Sequence, residues 1–179
     1  MTKYVAFLRA INVGGHTVKM DQLRSLFEAL ELPNVETFIA SGNVIFDSST
    51  ENLQVLESKI EDHLHKTLGY KVATFLRATS ELAQVARHKP FTDAELNAEG
   101  HGLYVGFLAH KPGNEAIQKL LACATPVDDF HIHGREVYWL CRTRFSESEF
   151  SGARLEKTLG MQTTLRNVTT IRKITAKYA

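Results

Sequence analysis

Arg9, Asn12, Gly14, Gly15 and Lys19 follow one another closely after an apolar run, Tyr4-Val5-Ala6-Phe7-Leu8. An arginine and a lysine supply positive charge, and paired glycines let backbone N–H groups come close to a ligand. That combination suits an anion such as a phosphate or a carboxylate. A second polar group, Ser41-Gly42-Asn43, separates two runs of strand formers, and a third, Arg166-Asn167, closes the run Thr163-Thr164-Leu165. Each has a plainer reading beside the functional one. Gly42 and Asn43 tolerate the backbone angles of a tight turn, and Asn167 suits the cap of a following helix.

Other chemistries fit worse. Gly14-Gly15 matches neither G-x-G-x-x-G nor G-x-x-x-x-G-K-[ST]. Ser41 lacks the flanking glycines of a nucleophile elbow, and no histidine or acid is placed to activate it. No carboxylate falls between Tyr4 and Asp21, so we assign no catalytic residues. His131 and His133 share one face of a strand and would supply half of a metal site. No third ligand is evident beside them, so they read as a solvated sheet edge and we assign no metal and no cofactor. Cys123 and Cys141 match no metal or redox spacing and read as buried free thiols.

The elements that must position these groups form a repeated pattern. Residues 4–10 are apolar on both faces, as a central strand requires. Leu23, Leu26, Phe27 and Leu30 recur at helical spacing after Met20-Asp21. Residues 35–39 and 43–46 are strand formers on either side of the Ser41-Gly42-Asn43 turn. Ser49-Thr50-Glu51 offers a helix cap before the stripe Leu53, Leu56, Ile60, Leu64 and Leu68, which Gly69 stops. Residues 70–76 make another strand, and a short helix from Thr79-Ser80 ends at Lys89-Pro90. This is β-α-β-β-α-β, the order of a ferredoxin-like plait.

The order then repeats: a strand at 103–109, a helix from Asn114, a hairpin through Gly134-Arg135, a weaker helix at 147–159, a strand at 162–166 and a final helix after Asn167 bearing Ile171 and Ile174. Tyr4-Val5-Ala6-Phe7-Leu8 is echoed by Tyr104-Val105-Gly106-Phe107-Leu108. Thr74-Phe75-Leu76-Arg77 is echoed by Thr163-Thr164-Leu165-Arg166, in the matching slot. The expected fold is α+β, a tandem duplication of the βαββαβ plait with a helix after each half. The expected boundaries are 1–88, a linker at 89–101, and 102–179. In a plait the end of strand one and the hairpin between strands two and three lie at one end, which brings Arg9, Asn12, Gly14, Gly15 and Lys19 near Ser41, Gly42 and Asn43. Whether Arg166 and Asn167 reach that edge depends on how the halves pack.

Composition narrows the class. At 179 residues, 44% hydrophobic and 23% charged, the chain is that of a folded globular protein. No run approaches the roughly 18 apolar residues of a bilayer span, and a cytoplasmic location is expected from the absence of a leader. The net charge of +1 is unevenly spread. Lys3, Arg9 and Lys19 have no acid beside them, and Arg154, Lys157, Arg166, Arg172, Lys173 and Lys177 face only Glu156. Such basic ends attract anions.

The runs Phe7-Leu8-Arg9-Ala10-Ile11-Asn12-Val13-Gly14-Gly15 and Thr37-Phe38-Ile39-Ala40-Ser41-Gly42-Asn43-Val44-Ile45-Phe46, with Met20 and Leu23-Arg24 between them, resemble domain-of-unknown-function family 1697. The closing Thr164-Leu165-Arg166-Asn167-Val168-Thr169-Thr170 is similar to that family's T-x-R-N-W-x-T pattern. The resemblance implies two ferredoxin-like subdomains in a mostly bacterial family, and it implies no activity. The chain departs from the pattern at Ala40, where a longer polar residue is usual, at Val168, which replaces the tryptophan, and in a shorter segment after Gly15 that lacks an expected Asn.

Three functional readings stand. The leading one is a binding module for a small anionic or phosphorylated ligand at the Arg9–Asn43 edge. The second is a structural or interaction protein, a homodimer made through a sheet edge or face. The third is an enzyme acting on a phosphorylated small molecule. Nucleic acid is a minor variant of the first, because the third strand lacks the basic start and alternating aromatics of an RNA-recognition motif.

Overall fold

The computed structural model describes residues 1–9, 11, 15–39 and 42–179. Contacts group the chain into two units, residues 1–83 with 174–179, and residues 84–173.

The first unit holds strands β1 (Thr2–Leu8), β2 (Glu36–Thr37), β3 (Asn43–Ser48) and β4 (Thr74–Ala78), with helices α1 (Met20–Glu28) and α2 (Leu53–Leu68). The sheet is antiparallel in the order β2-β3-β1-β4. β1 lies centrally and is buried on both faces, as its unbroken apolar run requires. On one face Tyr4, Ala6, Leu8, Val44, Phe46 and Leu76 meet Leu23 and Phe27 of α1 and Leu56, Ile60 and Leu64 of α2. The period of two along the strands and of three to four along the helices puts these residues into one core.

Several boundaries differ from the sequence expectation for local reasons. The first strand spans residues 2–8 rather than 4–10. The second shrinks to two residues, because Ile39 takes a left-handed φ of 60° that ends the ladder. The cap of α2 is Asn52, whose side chain accepts the Val55 N–H at 3.2 Å, rather than the residues just before it. Gly69 closes that helix at φ 84°, and the fourth strand starts at Thr74 instead of residue 70.

Helix α3 (Thr79–Arg87) follows β4 directly. Residues 89–101, expected as a linker, carry helix α4 (Asp93–Asn97) and belong to the second unit. A capping box forms it: the Thr92 hydroxyl accepts the Glu95 N–H, and the Glu95 carboxylate accepts the Thr92 N–H.

The second unit repeats the plan with β5 (Gly102–Phe107), α5 (Asn114–Leu121), β6 (Asp128–His133), β7 (Glu136–Cys141), α6 (Gly152–Leu159) and β8 (Thr164–Asn167), and it holds the first part of α7 (Val168–Tyr178), whose residues from 174 on group with the first unit. Its sheet runs β6-β7-β5-β8, the same order as the first, and every pair is antiparallel. The expected duplication of the plait is therefore present. A separate 3-10 turn at Phe145–Glu147 precedes α6, which Ser151 caps and Gly160 ends. Leu108, Phe130, Val137, Trp139, Leu155 and Leu159 pack this unit's core. Cys123 is half-buried, Cys141 is buried, and both are free thiols. Among the described residues no helix is long and apolar enough to cross a membrane.

Candidate functional site

The hairpin and the end of β1 do meet. The Leu8 N–H donates to the Gly42 carbonyl at 2.9 Å, and Asn43 stands opposite Phe7 in the register. What these residues do there is structural. Asn43 is fully buried, and its Nδ2 donates to the Phe38 carbonyl at 2.9 Å while the Phe38 N–H donates to the Asn43 carbonyl at 3.0 Å. Gly42 has φ 78°, and a Cβ there would lie 2.8 Å from Ile11 Cγ2 and 3.2 Å from Leu8 Cβ, so no larger residue fits. Its absent side chain lets β1 pass close, which is a packing role.

Arg9 follows β1, half-buried, with its backbone N–H held by the Ala73 carbonyl at 2.9 Å. Gly15 takes φ 85° in open space, and Lys19 is exposed at the start of α1, where its carbonyl accepts the Leu23 N–H. Asn12, Gly14 and Ser41 lie outside the described residues. The described part of the first edge thus contributes two cations, one open glycine and two residues committed to the hairpin.

A second location collects more. A cleft of about 770 Å³ in the second unit is lined by Arg87, Lys89, Asn97, Asn167, Thr169 and Arg172. Arg87 ends α3 and Lys89 follows it. Asn167 and Thr169 bring in the first turn of α7, a helix of 11 residues whose amino end carries partial positive charge. One acid, Asp93, also lines the cleft and pairs with Lys89 at 3.1 Å, with both side chains exposed. Three guanidinium or ammonium groups against one carboxylate leave the cleft cationic.

Asn167 serves as the cap expected of it. Its Oδ1 accepts the Thr169 N–H at 2.9 Å, and its side chain is hydrogen-bonded to Tyr104, whose phenol burial pushes up. Arg166 is absent from the lining. It is 8% exposed, and its Nη1 donates to Thr164 Oγ1 at 2.7 Å and to the Leu165 carbonyl at 2.9 Å. Burial pulls its guanidinium down to about 10, which leaves it charged at neutral pH. Sequence reasoning passed over Arg87, Lys89 and Arg172. Their signal was only the surplus of cations around the ends of two predicted helices.

Residues 1–138 match the family described as a protein of unknown function, DUF1697. The chain belongs to this family. The match ends before the Thr164–Thr170 run that shapes the rim of the cleft. This DUF1697 chain is also similar to the solved structure of a conserved bacterial protein from Streptococcus pneumoniae, with a TM-score of 0.76 and 23% identity, covering 99% of this chain and 98% of that one. At that identity the likeness speaks to the fold. None of the curated proteins matches the chain.

Proposed function

We propose that this DUF1697 protein is a binding module for a small anionic or phosphorylated ligand. The observation that carries the reading is the cationic cleft, which Arg87, Lys89 and Arg172 line together with the first turn of α7. Guanidinium groups suit phosphate and carboxylate oxygens through paired N–H donors, and a helix amino terminus adds backbone donors of the same polarity. The volume suits a small organic anion, since ligand sites span about 300–1,000 Å³. The Arg9, Gly15 and Lys19 edge is a second cationic location in the same reading, with Asn12, Gly14 and Ser41 as its further candidates.

The test is an amide NMR titration with inorganic phosphate and common nucleotides, repeated on Arg172→Ala and Arg87→Ala. Saturable shifts at Asn97, Thr169 and Gly102, weakened in both variants, support the cleft. Saturable shifts confined to Gly15 and Gly42 move the site to the first edge. An absence of saturable shifts hands the lead to an interaction protein, and a mass by light scattering that rises with concentration would then support a dimer.

A further inference from the structure

Outside the cleft, the second unit gathers three imidazoles on the sheet face opposite α5 and α6. His131 and His133 alternate along β6 with Phe130 and Ile132, which face the core. The cross-strand partners on their own face are Tyr138 and Glu136 of β7. The third imidazole, His88, comes from the turn just after α3. Two contacts set it there: the Tyr138 hydroxyl donates to the Val85 carbonyl at 3.1 Å, and the His88 N–H donates to the Gln84 carbonyl at 3.0 Å. The end of α3 is thereby tied to β7 beside the two strand histidines.

One ring nitrogen from each histidine can be chosen so that all three lie within 4.8 Å of one another. The rings stack, His88 against His133 at 4.1 Å between centroids and 15°, and against His131 at 5.3 Å and 28°. Burial, followed by the neighbouring His133, holds both His88 and His131 below the usual imidazole range, which favours the unprotonated nitrogen that a metal needs at those two rings. Stacking leaves a polar atom unsatisfied. His88 Nε2 is buried and has no hydrogen-bond partner. A buried acceptor or donor without a partner calls for an explanation, and an ion held by the neighbouring nitrogens supplies one.

We propose that His88, His131 and His133 form a three-imidazole site for a late first-row divalent metal ion, zinc above all. Imidazole nitrogens favour zinc, copper and nickel, whereas calcium and magnesium need oxygen ligands. Zinc–nitrogen bonds of about 2.0–2.1 Å place tetrahedral ligands roughly 3.3 Å apart. Side-chain rotation that turns the stacked rings edge-on closes the gap, and exposed His133 has the room to make it. Three protein ligands leave a fourth position for water or a small ligand, the pattern of zinc sites that do chemistry rather than sites that only brace a fold. Glu136, opposite His133, is the residue type that steadies a ligating imidazole from behind.

The experiment is calorimetric titration of the tag-free chain with zinc, with cobalt as a spectroscopic probe, on the native protein, His88→Ala, His133→Ala and His63→Ala. His63 is the control, because its Nε2 is also buried without a partner yet it joins no cluster of three ligands among the described residues. The expected result is one zinc per chain and the visible absorption of four-coordinate cobalt. His88→Ala and His133→Ala should each weaken zinc at least about 100-fold, since only two imidazoles remain, and His63→Ala should bind as the native chain does. Lack of stoichiometric binding at micromolar free zinc overturns the proposal, as does native affinity in either site variant. If His88→Ala fails to fold by circular dichroism, the exposed His133→Ala decides alone.

Discussion

Arg77 and Arg166 hold the same position in two copies of one fold. Arg77 stands opposite Val5 and Arg166 opposite Val105, each on the strand beside the central one. Each donates from Nη1 to the carbonyl of the leucine before it, Leu76 or Leu165, at 2.9 Å. Both are buried, Arg77 completely. The echo of Leu-Arg in the sequence is therefore a repeated way of holding a guanidinium within the fold, and Arg166 carries structure where a surface arginine would carry ligand.

That assignment predicts stability effects. Arg166→Ala should cost about 3 kcal/mol, because it removes charged hydrogen bonds and leaves the Thr164 hydroxyl short of a buried partner. Arg166→Met should cost less, since apolar volume is kept. Urea unfolding measures both. A methionine variant of native stability with weakened phosphate binding would instead make Arg166 a ligand residue.

A buried carboxylate anchors the other side of the same sheet. Asp128 Oδ1 accepts the Trp139 Nε1–H at 2.8 Å, and its Oδ2 accepts the Ser148 hydroxyl at 2.7 Å. Asp128→Ala should destabilise the protein by about 2–4 kcal/mol, because the buried Trp139 N–H loses its acceptor away from water and the half-buried Ser148 hydroxyl loses one as well. Trp139 is the single tryptophan, so its fluorescence reports the transition directly. Asp128→Asn, which keeps one acceptor oxygen, should retain roughly half of that loss.

Much of the fold was legible because its signals are local. The helical stripe from Leu53 to Leu68, the stop at Gly69 and the apolar β1 run each name an element without help from the rest. The short β2 was not, since nothing in the side chain of Ile39 announces a left-handed backbone. α4 was half visible: Thr-x-x-Glu at Thr92 and Glu95 is a capping box, but a five-residue helix has no apolar stripe to confirm it. The topology correctly brought Gly42 and Asn43 to the end of β1. It did not show that the Asn43 amide donates to the Phe38 carbonyl. Sites assembled from distant segments were the least legible. His88 lies a strand and two helices away from His131, and Arg87 and Arg172 are brought together only by the folded second unit.

A pH effect follows from the first unit. The Asn34 amide, hydrogen-bonded to Asp47 at 2.6 Å, holds that carboxyl below its usual range, and Lys3 at 2.9 Å adds to the effect. A carboxyl depressed by folding contributes stability above its unfolded value near 4, and that stability is lost as pH falls through the lower folded value. The pair is partly exposed, so about 1 kcal/mol or less is at stake. Lys3→Met should shrink the difference in unfolding free energy between pH 6 and pH 3, and Asn34→Gly, which keeps the left-handed backbone, should shrink it further. An unchanged difference in both variants would remove Asp47 as the source.

The single difference between the echoed strands, Ala6 in one and Gly106 in the other, has a cause in the neighbouring strand. A Cβ on Gly106 would lie 2.9 Å from Thr163 Oγ1 and 3.2 Å from Leu165 Cδ2. Thr163 is held in that space because its hydroxyl donates across to the Phe107 carbonyl at 3.0 Å, whereas the corresponding Thr74 turns back to Val72 of its own segment at 3.4 Å. Gly-to-Ala in an ordinary strand gains roughly 0.4–1 kcal/mol by restricting the unfolded chain. Gly106→Ala should do the reverse and cost about 1–3 kcal/mol through overpacking. Thr163→Ala alone should cost about 1 kcal/mol for the lost hydrogen bond. Together they should cost less than the sum by about 1 kcal/mol, because removing the threonine hydroxyl vacates the space the new methyl needs. Urea unfolding followed by Trp139 fluorescence measures the cycle. Simple additivity would place the strain at Leu165 and leave the absence of a side chain at 106 independent of the Thr163 bond.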